Sequence, residues 1–166
     1  MDVHTLTARE LVAHLESGEI SSAEIVDALY ERSADVDPRV NAFVHRFHEQ
    51  ARAEALAADA ARSRGEDLGP LHGLPISVKE SVDTRGVPST LGMKARLGNA
   101  ATKDAVSVRV AREAGAIILG KTNVPQTLLS PKETTNFIWG ATNNPWGLEH
   151  GPGGSSGGEG AAIASG

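Results

Sequence analysis

The residues best placed to do chemistry in this sequence are one lysine and a pair of serines, which lie in two separate segments. Lys79 follows the mainly apolar residues 74–78, an unusual position for a strongly hydrated ammonium group. One interpretation is an ordinary surface lysine at a strand end. The other is a buried lysine whose pKa falls from about 10.4 toward neutrality, because burial disfavours the charged form. In that second case the neutral amine could act as a general base toward a serine hydroxyl.

The two serines, Ser155 and Ser156, lie in the glycine-rich residues 151–160, for which four interpretations compete. A flexible Gly/Ser linker is disfavoured because an Ala/Ile-rich helix start follows at once. A phosphate-binding loop at a helix N-terminus would need the lysine of the GxxxxGK[ST] pattern, which is absent. The GxSxG pattern of a nucleophilic serine on a strained turn is absent as well. The fourth interpretation makes the two serines part of a catalytic array whose base lies elsewhere in the chain.

Taken together, the two segments resemble the amidase signature family of serine amide hydrolases. The glycine-rich match is PGGSSGGEGA at residues 152–161, and the lysine match is GLPISVKE at residues 73–80. Four shorter pieces fit between them in the expected order, at residues 90–92, 114–117, 120–126 and 144–146. The resemblance covers roughly residues 5–166. The pieces KE at 79–80 and GGEG at 157–160 look closest to the fatty-acid-amide-hydrolase-like branch.

The resemblance implies a Ser–cis-Ser–Lys triad. It makes Lys79 the catalytic lysine, which acts first as a base and then as an acid. Ser155 becomes the bridging serine that relays the proton, with a cis peptide bond before it. Four residues would support the loop: Gly153, Gly154, Ser156 and Gly157. The family's nucleophilic serine and its oxyanion hole lie farther along the chain, in a Gly-Gly-Ser segment. We therefore expect both to lie beyond Gly166, and this chain alone to be inactive.

The same resemblance makes Leu128 and Leu129 candidates for lining the substrate pocket, and core packing explains these leucines equally well. The implied substrates are small linear amides, without a metal or organic cofactor, and the full-length parent could be a homodimer. Two alternatives stay open. One is the glutaminase-type subunit of an amidotransferase, which passes ammonia to a partner, and the other is a non-catalytic truncated remnant.

The composition excludes several other classes of function. The 166 residues carry a net charge of −5, so there is no basic excess to neutralise nucleic-acid phosphates. No apolar run approaches the ~20 residues of a membrane-spanning helix, and the N-terminus lacks the pattern of a secretory signal. Cysteine is absent, which excludes disulfides and thiolate nucleophiles. His45 and His48 have no third ligand nearby, so we expect no metal site. The sequence is typical of a cytoplasmic enzyme.

Helix signals dominate the first part of the chain. Ser/Thr-x-x-Glu capping boxes at residues 7–10 and 21–24 predict two helix starts. The second helix is expected to end before residues 37–38, Asp-Pro, because proline disfavours a helical conformation in the residue before it. A short strand over residues 40–47 and an Ala-rich helix over about residues 49–64 would follow.

The second part predicts a layered α/β arrangement. Apolar runs indicate strands at residues 74–82 and 116–119, with a helix at 105–113 between them, and this order is typical of α/β folds. A short helix at residues 125–129 and a helix start at 158–165 complete the pattern.

We therefore expect an α/β fold with a mixed β-sheet core flanked by helices. It would form the N-terminal portion of a single amidase domain over residues 1–166. Within it, a helical lead-in would cover about residues 1–66, and a truncated α/β catalytic portion would cover residues 67–166.

Overall fold

The first two helices begin where their capping boxes predict. The computed structural model describes residues 2–66 and 68–166. Helix α1 (Ala8–Ser17) starts after Thr7, and helix α2 (Ser22–Val40) starts after Ser21. In each case the cap hydroxyl accepts a backbone N–H from the glutamate three residues on, whose side chain accepts the cap's own N–H. These reciprocal bonds satisfy donors that a helix start otherwise leaves unpaired.

The prediction that the second helix stops before Asp37 is wrong, because α2 continues through Pro38 to Val40. Pro38 lies in the last turn, and the helix ends at Asn41 in the left-handed conformation, with φ of 55°. The extra turn places the buried Asp37 carboxylate at the start of the next strand. There it accepts the N–H groups of Ala42 and Phe43 and pairs with Arg46. These charged and backbone contacts outweigh the local preference of the Asp-Pro pair.

Three strands form a mixed sheet in the order β1-β3-β2. Strand β1 (Phe43–Arg46) is antiparallel to the central strand β3 (Ile117–Thr122), and β2 (Pro75–Lys79) is parallel to it. The parallel connection passes through helix α4 (Val106–Glu113), as the strand–helix–strand pattern predicts. This arrangement confirms the α/β class and the mixed sheet.

The central strand β3 lies at the centre of the core, because all six of its residues are buried. On one face, Ile117 and Leu119 pack against α2 and against helix α3 (His48–Ser63). On the other face, Ile118 packs with Val78 and with Val108 of α4. The strand extends three residues beyond the apolar run that predicted it. The Lys121 side chain finds polar partners inside the protein, and the backbone of Thr122 pairs with β2.

The last described elements cover the end of this sheet. Strands β4 (Thr134–Asn136) and β5 (Gly140–Thr142) form a separate antiparallel pair, and helix α5 (Gly157–Ala164) contacts β2, β3 and β5. A Cβ on Gly158 would lie 2.4 Å from the backbone N of Asn123, so only glycine lets α5 approach β3 this closely.

Residues from both halves of the chain share this sheet, since β1 precedes residue 66 and pairs with β3. The predicted boundary between a lead-in and a catalytic portion falls at residue 67, which, like residue 1, is outside the described ranges. None of the helices in the described ranges combines the length and the apolar character needed to cross a membrane.

Candidate active site

The structure brings Lys79 and the serine pair together from segments that are far apart in sequence. Lys79 is the last residue of β2, and the serines lie in the loop that leads into α5. The Lys79 Nζ atom donates to Ser155 Oγ at 2.8 Å and to Ser156 Oγ at 3.0 Å. The peptide bond between Gly154 and Ser155 is cis, as the resemblance implied. These contacts place an amine and two hydroxyls in one hydrogen-bonded cluster.

Strand alternation explains why the lysine points at this loop. Ser77 and Lys79 face α5, whereas Val78 and Glu80 face the opposite side of the sheet. Lys79 is registered with Thr122 on β3, which fixes the position of its backbone. The side chain therefore extends from a rigid strand end into the glycine-rich loop.

The surroundings of Lys79 disfavour its ammonium form relative to a lysine in water. Burial lowers the pKa of Lys79 below its ordinary value, while the nearby charge of Glu159 raises it in part. The amine also lies beside the N-terminal end of α5, whose positive dipole end disfavours a cation. Lys79 is partly buried, which lies between the two interpretations of the sequence, and its role as a base stays a prediction.

Glycines allow the serine loop to pass close to residues 130–134. A Cβ on Gly154 would lie 2.2 Å from the backbone O of Ser130, and one on Gly157 would lie 2.1 Å from Thr134 Oγ1. The Gly153 carbonyl accepts the Thr134 hydroxyl at 2.8 Å. Of the four residues expected to support the loop, Gly154 and Gly157 therefore occupy crowded positions, whereas a Cβ on Gly153 would lie 3.7 Å from its nearest neighbour and Ser156 is exposed.

The two leucines suggested for the substrate pocket lie in and after a 3₁₀ turn, Gln126–Leu128. Leu128 is partly buried with φ of 62°, and Leu129 is 84% exposed. Within the described residues, Leu129 therefore takes no part in a core. A role for either leucine in binding substrate stays a prediction.

A hydrogen bond between β2 and α5 was not predicted from the sequence. Ser77 Oγ donates to Glu159 Oε2 at 2.6 Å, next to the lysine and serine cluster. The sequence offers one signal for this contact. Ser77 is two residues before Lys79, so both side chains lie on the same face of the strand.

Two buried charged residues on the other face of the sheet were also missed. Glu80 and Lys121 are both fully buried. The Glu80 carboxylate accepts the N–H groups of Thr90 and Leu91, and the Leu91 carbonyl in turn accepts the N–H of Thr127. These bonds hold the loop that contacts the 3₁₀ turn carrying Leu128.

A cavity borders the site, and the described residues contain no cluster of metal-binding side chains. A mainly apolar cavity of about 600 Å³ lies between α1, α2, β2 and α5, and Ser77 and Glu159 form part of its polar lining. Within residues 2–66 and 68–166, no three side chains of the types that bind metals gather into a cluster.

Comparisons with known proteins point to one family. A family model described as amidase matches residues 24–166. An acylamidase from Rhodococcus erythropolis is 41% identical over 99% of this chain and 34% of its own length. A glutamyl-tRNA(Gln) amidotransferase subunit from Streptomyces coelicolor is also 41% identical, over 99% of this chain and 33% of its own.

One solved structure contains a segment with the same fold as this chain. A fatty acid amide hydrolase superposes with a TM-score of 0.92 at 30% identity, over 98% of this chain and 29% of its own. The chain thus spans about a third of the length of the curated relatives it matches.

Proposed function

We propose that the protein of which this chain forms part hydrolyses carboxamides. The premise is that the chain belongs to the amidase signature family. The observation that carries the proposal is the hydrogen bond between Lys79 Nζ and Ser155 Oγ, made by an amine whose pKa is lowered by burial. An amine of this kind can exchange protons with a serine hydroxyl near neutral pH.

The reaction would proceed by acylation of a serine. Neutral Lys79 accepts a proton from Ser155, which accepts one from the nucleophilic serine as that oxygen attacks the amide carbonyl. The same relay then returns the proton to the departing amine or ammonia. Water hydrolyses the acyl-enzyme in a second round that regenerates the serine. We assign the nucleophile and the oxyanion hole to residues outside 1–166, and we expect this chain alone to be inactive.

The test uses the polypeptide that carries these residues in its native cells. Release of amine or ammonia is measured on a panel of small linear amides with acyl, aryl and indoleacetyl groups. Lys79→Met and Ser155→Ala should each lower kcat/KM by about 10²–10⁴-fold, the usual effect of losing a general base. Lys103→Met is the matched control, because Lys103 is exposed. Full activity of Lys79→Met would contradict the proposed role, and the lack of any hydrolysis by the native polypeptide would favour a non-catalytic remnant.

A second candidate is a glutaminase that supplies ammonia to an amidotransferase. It is favoured by one observation, namely that the acylamidase and the amidotransferase subunit are equally similar to this chain, at 41% identity. Adding glutamine to the same amide panel separates the two candidates. Faster ammonia release from glutamine than from any acyl or aryl amide would favour the glutaminase.

A further inference from the structure

We propose that Glu159 is a positioning residue of this site, a counter-charge that Ser77 holds beside Lys79 without allowing it to bind the amine. The inference deepens the proposed function and rests on it, because it assigns a purpose to the hydrogen bond between β2 and α5. It makes the carboxylate a counter-charge that offsets part of the effect of burial on the amine, and so adjusts the pH at which the amine can act as a base.

The geometry places the carboxylate close to the lysine while keeping it occupied. Ser77 and Lys79 lie on one face of β2, roughly 7 Å apart along the strand. Ser77 Oγ donates to Glu159 Oε2 at 2.6 Å, whereas Lys79 Nζ donates to the two serine hydroxyls at 2.8 and 3.0 Å. Among the residues the structure describes, no ion pair of 4.0 Å or less joins Lys79 to Glu159.

This separation matters for a base. A carboxylate in direct contact with the amine would hold it as an ammonium ion and occupy its hydrogen-bonding positions. A carboxylate restrained a short distance away stabilises the protonated form only moderately and leaves the amine directed at Ser155. The Ser77 hydroxyl provides that restraint, since it binds a Glu159 oxygen atom.

Other charges around Lys79 are accounted for by different contacts. The elements packed near it carry these charged or titratable groups: His45, Glu80, Lys121, Lys132, Glu133 and Glu159. Glu80 and Lys121 are buried on the opposite face of the sheet, where they bind residues 88–91. His45 lies on β1, on the far side of the central strand, and Lys132 and Glu133 are exposed.

Electrostatics agree with the geometry. Glu159 is the charge that raises the pKa of Lys79, against the larger effect of burial, which lowers it. Replacing Glu159 by glutamine keeps an acceptor for the Ser77 hydroxyl and removes the charge. The pKa of Lys79 should then fall further, and the acidic limb of the pH–activity profile should move to lower pH.

The experiment measures the protonation of Lys79 without requiring turnover. The folded polypeptide that carries these residues is labelled briefly with acetic anhydride over a range of pH, and acetylation of Lys79 is quantified by mass spectrometry relative to exposed Lys103 in the same digest. At a pH below the titration midpoint, Glu159→Gln should raise the relative labelling rate at least about threefold. A unit charge about 7 Å from the amine in bulk water would give a factor of about three, and a less polar surrounding would give more. Glu113→Gln, at an exposed position of α4, is the matched control and should leave the rate unchanged.

Ser77→Ala tests the restraint from the opposite direction. It frees the Glu159 carboxylate to reach the amine, so Lys79 labelling should become slower than in the unmodified chain. Unchanged labelling in Glu159→Gln, or faster labelling in Ser77→Ala, would overturn the inference. Should Glu159→Gln fail to give the native circular dichroism spectrum, Ser77→Ala alone decides the matter. If both variants change Lys79 labelling as predicted but the protein hydrolyses no amide, the proposed function is refuted and the assignment of Glu159 still holds.

Discussion

Two lysines of the sheet are desolvated, and their partners distinguish their roles. Burial lowers the pKa of both Lys79 and Lys121. Lys121 is completely buried and donates to the Pro88 carbonyl and to Ser89 Oγ at 2.9 Å. Its amine therefore makes structural hydrogen bonds. Lys79 is partly buried, and its hydrogen-bond partners among residues 2–66 and 68–166 are two hydroxyls that can themselves give up a proton.

Stability measurements should separate the two lysines. Lys121→Met leaves the Pro88 carbonyl and the Ser89 hydroxyl without this donor, so we expect the free energy of unfolding to fall by about 1–3 kcal/mol. Lys79→Met should change it by less than about 1 kcal/mol, because its serine partners can turn to water. Urea denaturation of both variants provides the measurement. Equal destabilisation by the two substitutions would contradict this division.

Tyr30 makes a second residue-scale prediction, because it is the only tyrosine in the chain. Its hydroxyl donates to the Leu119 carbonyl, and burial raises the pKa of Tyr30 to about 12. The phenol therefore contributes stability below its ordinary pKa of about 10, and this contribution is lost as the pH rises through 12. Phenolate absorbance should show one transition near pH 12 in the folded chain and one near 10 in urea. Tyr30→Phe should remove the decrease in stability that accompanies this ionisation.

At the scale of elements, the approach of α5 to β3 fixes the position of the serine loop. Gly158 faces the Asn123 backbone at a distance where no Cβ fits, whereas Gly160, two residues on, has open space around it. Gly158→Ala should push the helix away, lower the free energy of unfolding by about 1–3 kcal/mol and lengthen the Lys79–Ser155 contact.

Gly160→Ala is the matched control for this prediction, in the same helix. We expect it to raise the free energy of unfolding by about 0.5–1 kcal/mol, since alanine favours a helix and nothing lies in its way. Thermal unfolding of both variants tests the pair. A destabilising Gly160→Ala would show that α5 is sensitive to any substitution rather than to close approach.

How far the sequence predicts these elements depends on where their determinants lie. The starts of α1 and α2 were predictable because each capping box is complete within four residues. The end of α2 was not, because Asp37 is stabilised by the N–H groups of Ala42 and Phe43 and by Arg46, which no local pattern reveals.

The same reasoning applies to the site. Lys79 and Ser155 were predicted as partners from motifs that surround each of them in the sequence, and the structure brings their side chains into contact. The hydrogen bond from Ser77 to Glu159 joins residues that are 82 positions apart and is visible only after folding. Glu80 and Lys121 were missed for a related reason, since charged residues at strand ends are normally exposed and their burial depends on the loop over them.

At the scale of the molecule, the two halves of the chain share one core. Strand β1 and helices α2 and α3 come from the first half and pack against β3 of the second. We therefore expect a single cooperative transition, in which Tyr30 absorbance, from the first half, and tryptophan fluorescence, from the second, change together.

Ile118→Ala provides a direct test of this shared core. The side chain is fully buried on β3, and its truncation should lower the free energy of unfolding by about 2–5 kcal/mol. Both optical signals should shift to lower urea concentration by the same amount. A shift confined to the tryptophan signal would indicate that the halves unfold separately.

The alternation of side chains along β2 has a consequence for how this sequence can vary in length. Lys79 and Glu80 are neighbours that serve opposite faces of the sheet, one at the serine loop and the other under residues 90–91. One inserted or deleted residue between the start of β2 and Lys79 would exchange these environments, because a one-residue slip reverses every side chain beyond it. Insertions and deletions should therefore be tolerated in the exposed residues 94–100. In residues 75–80 they should abolish folding or activity, even at positions where a single substitution is tolerated.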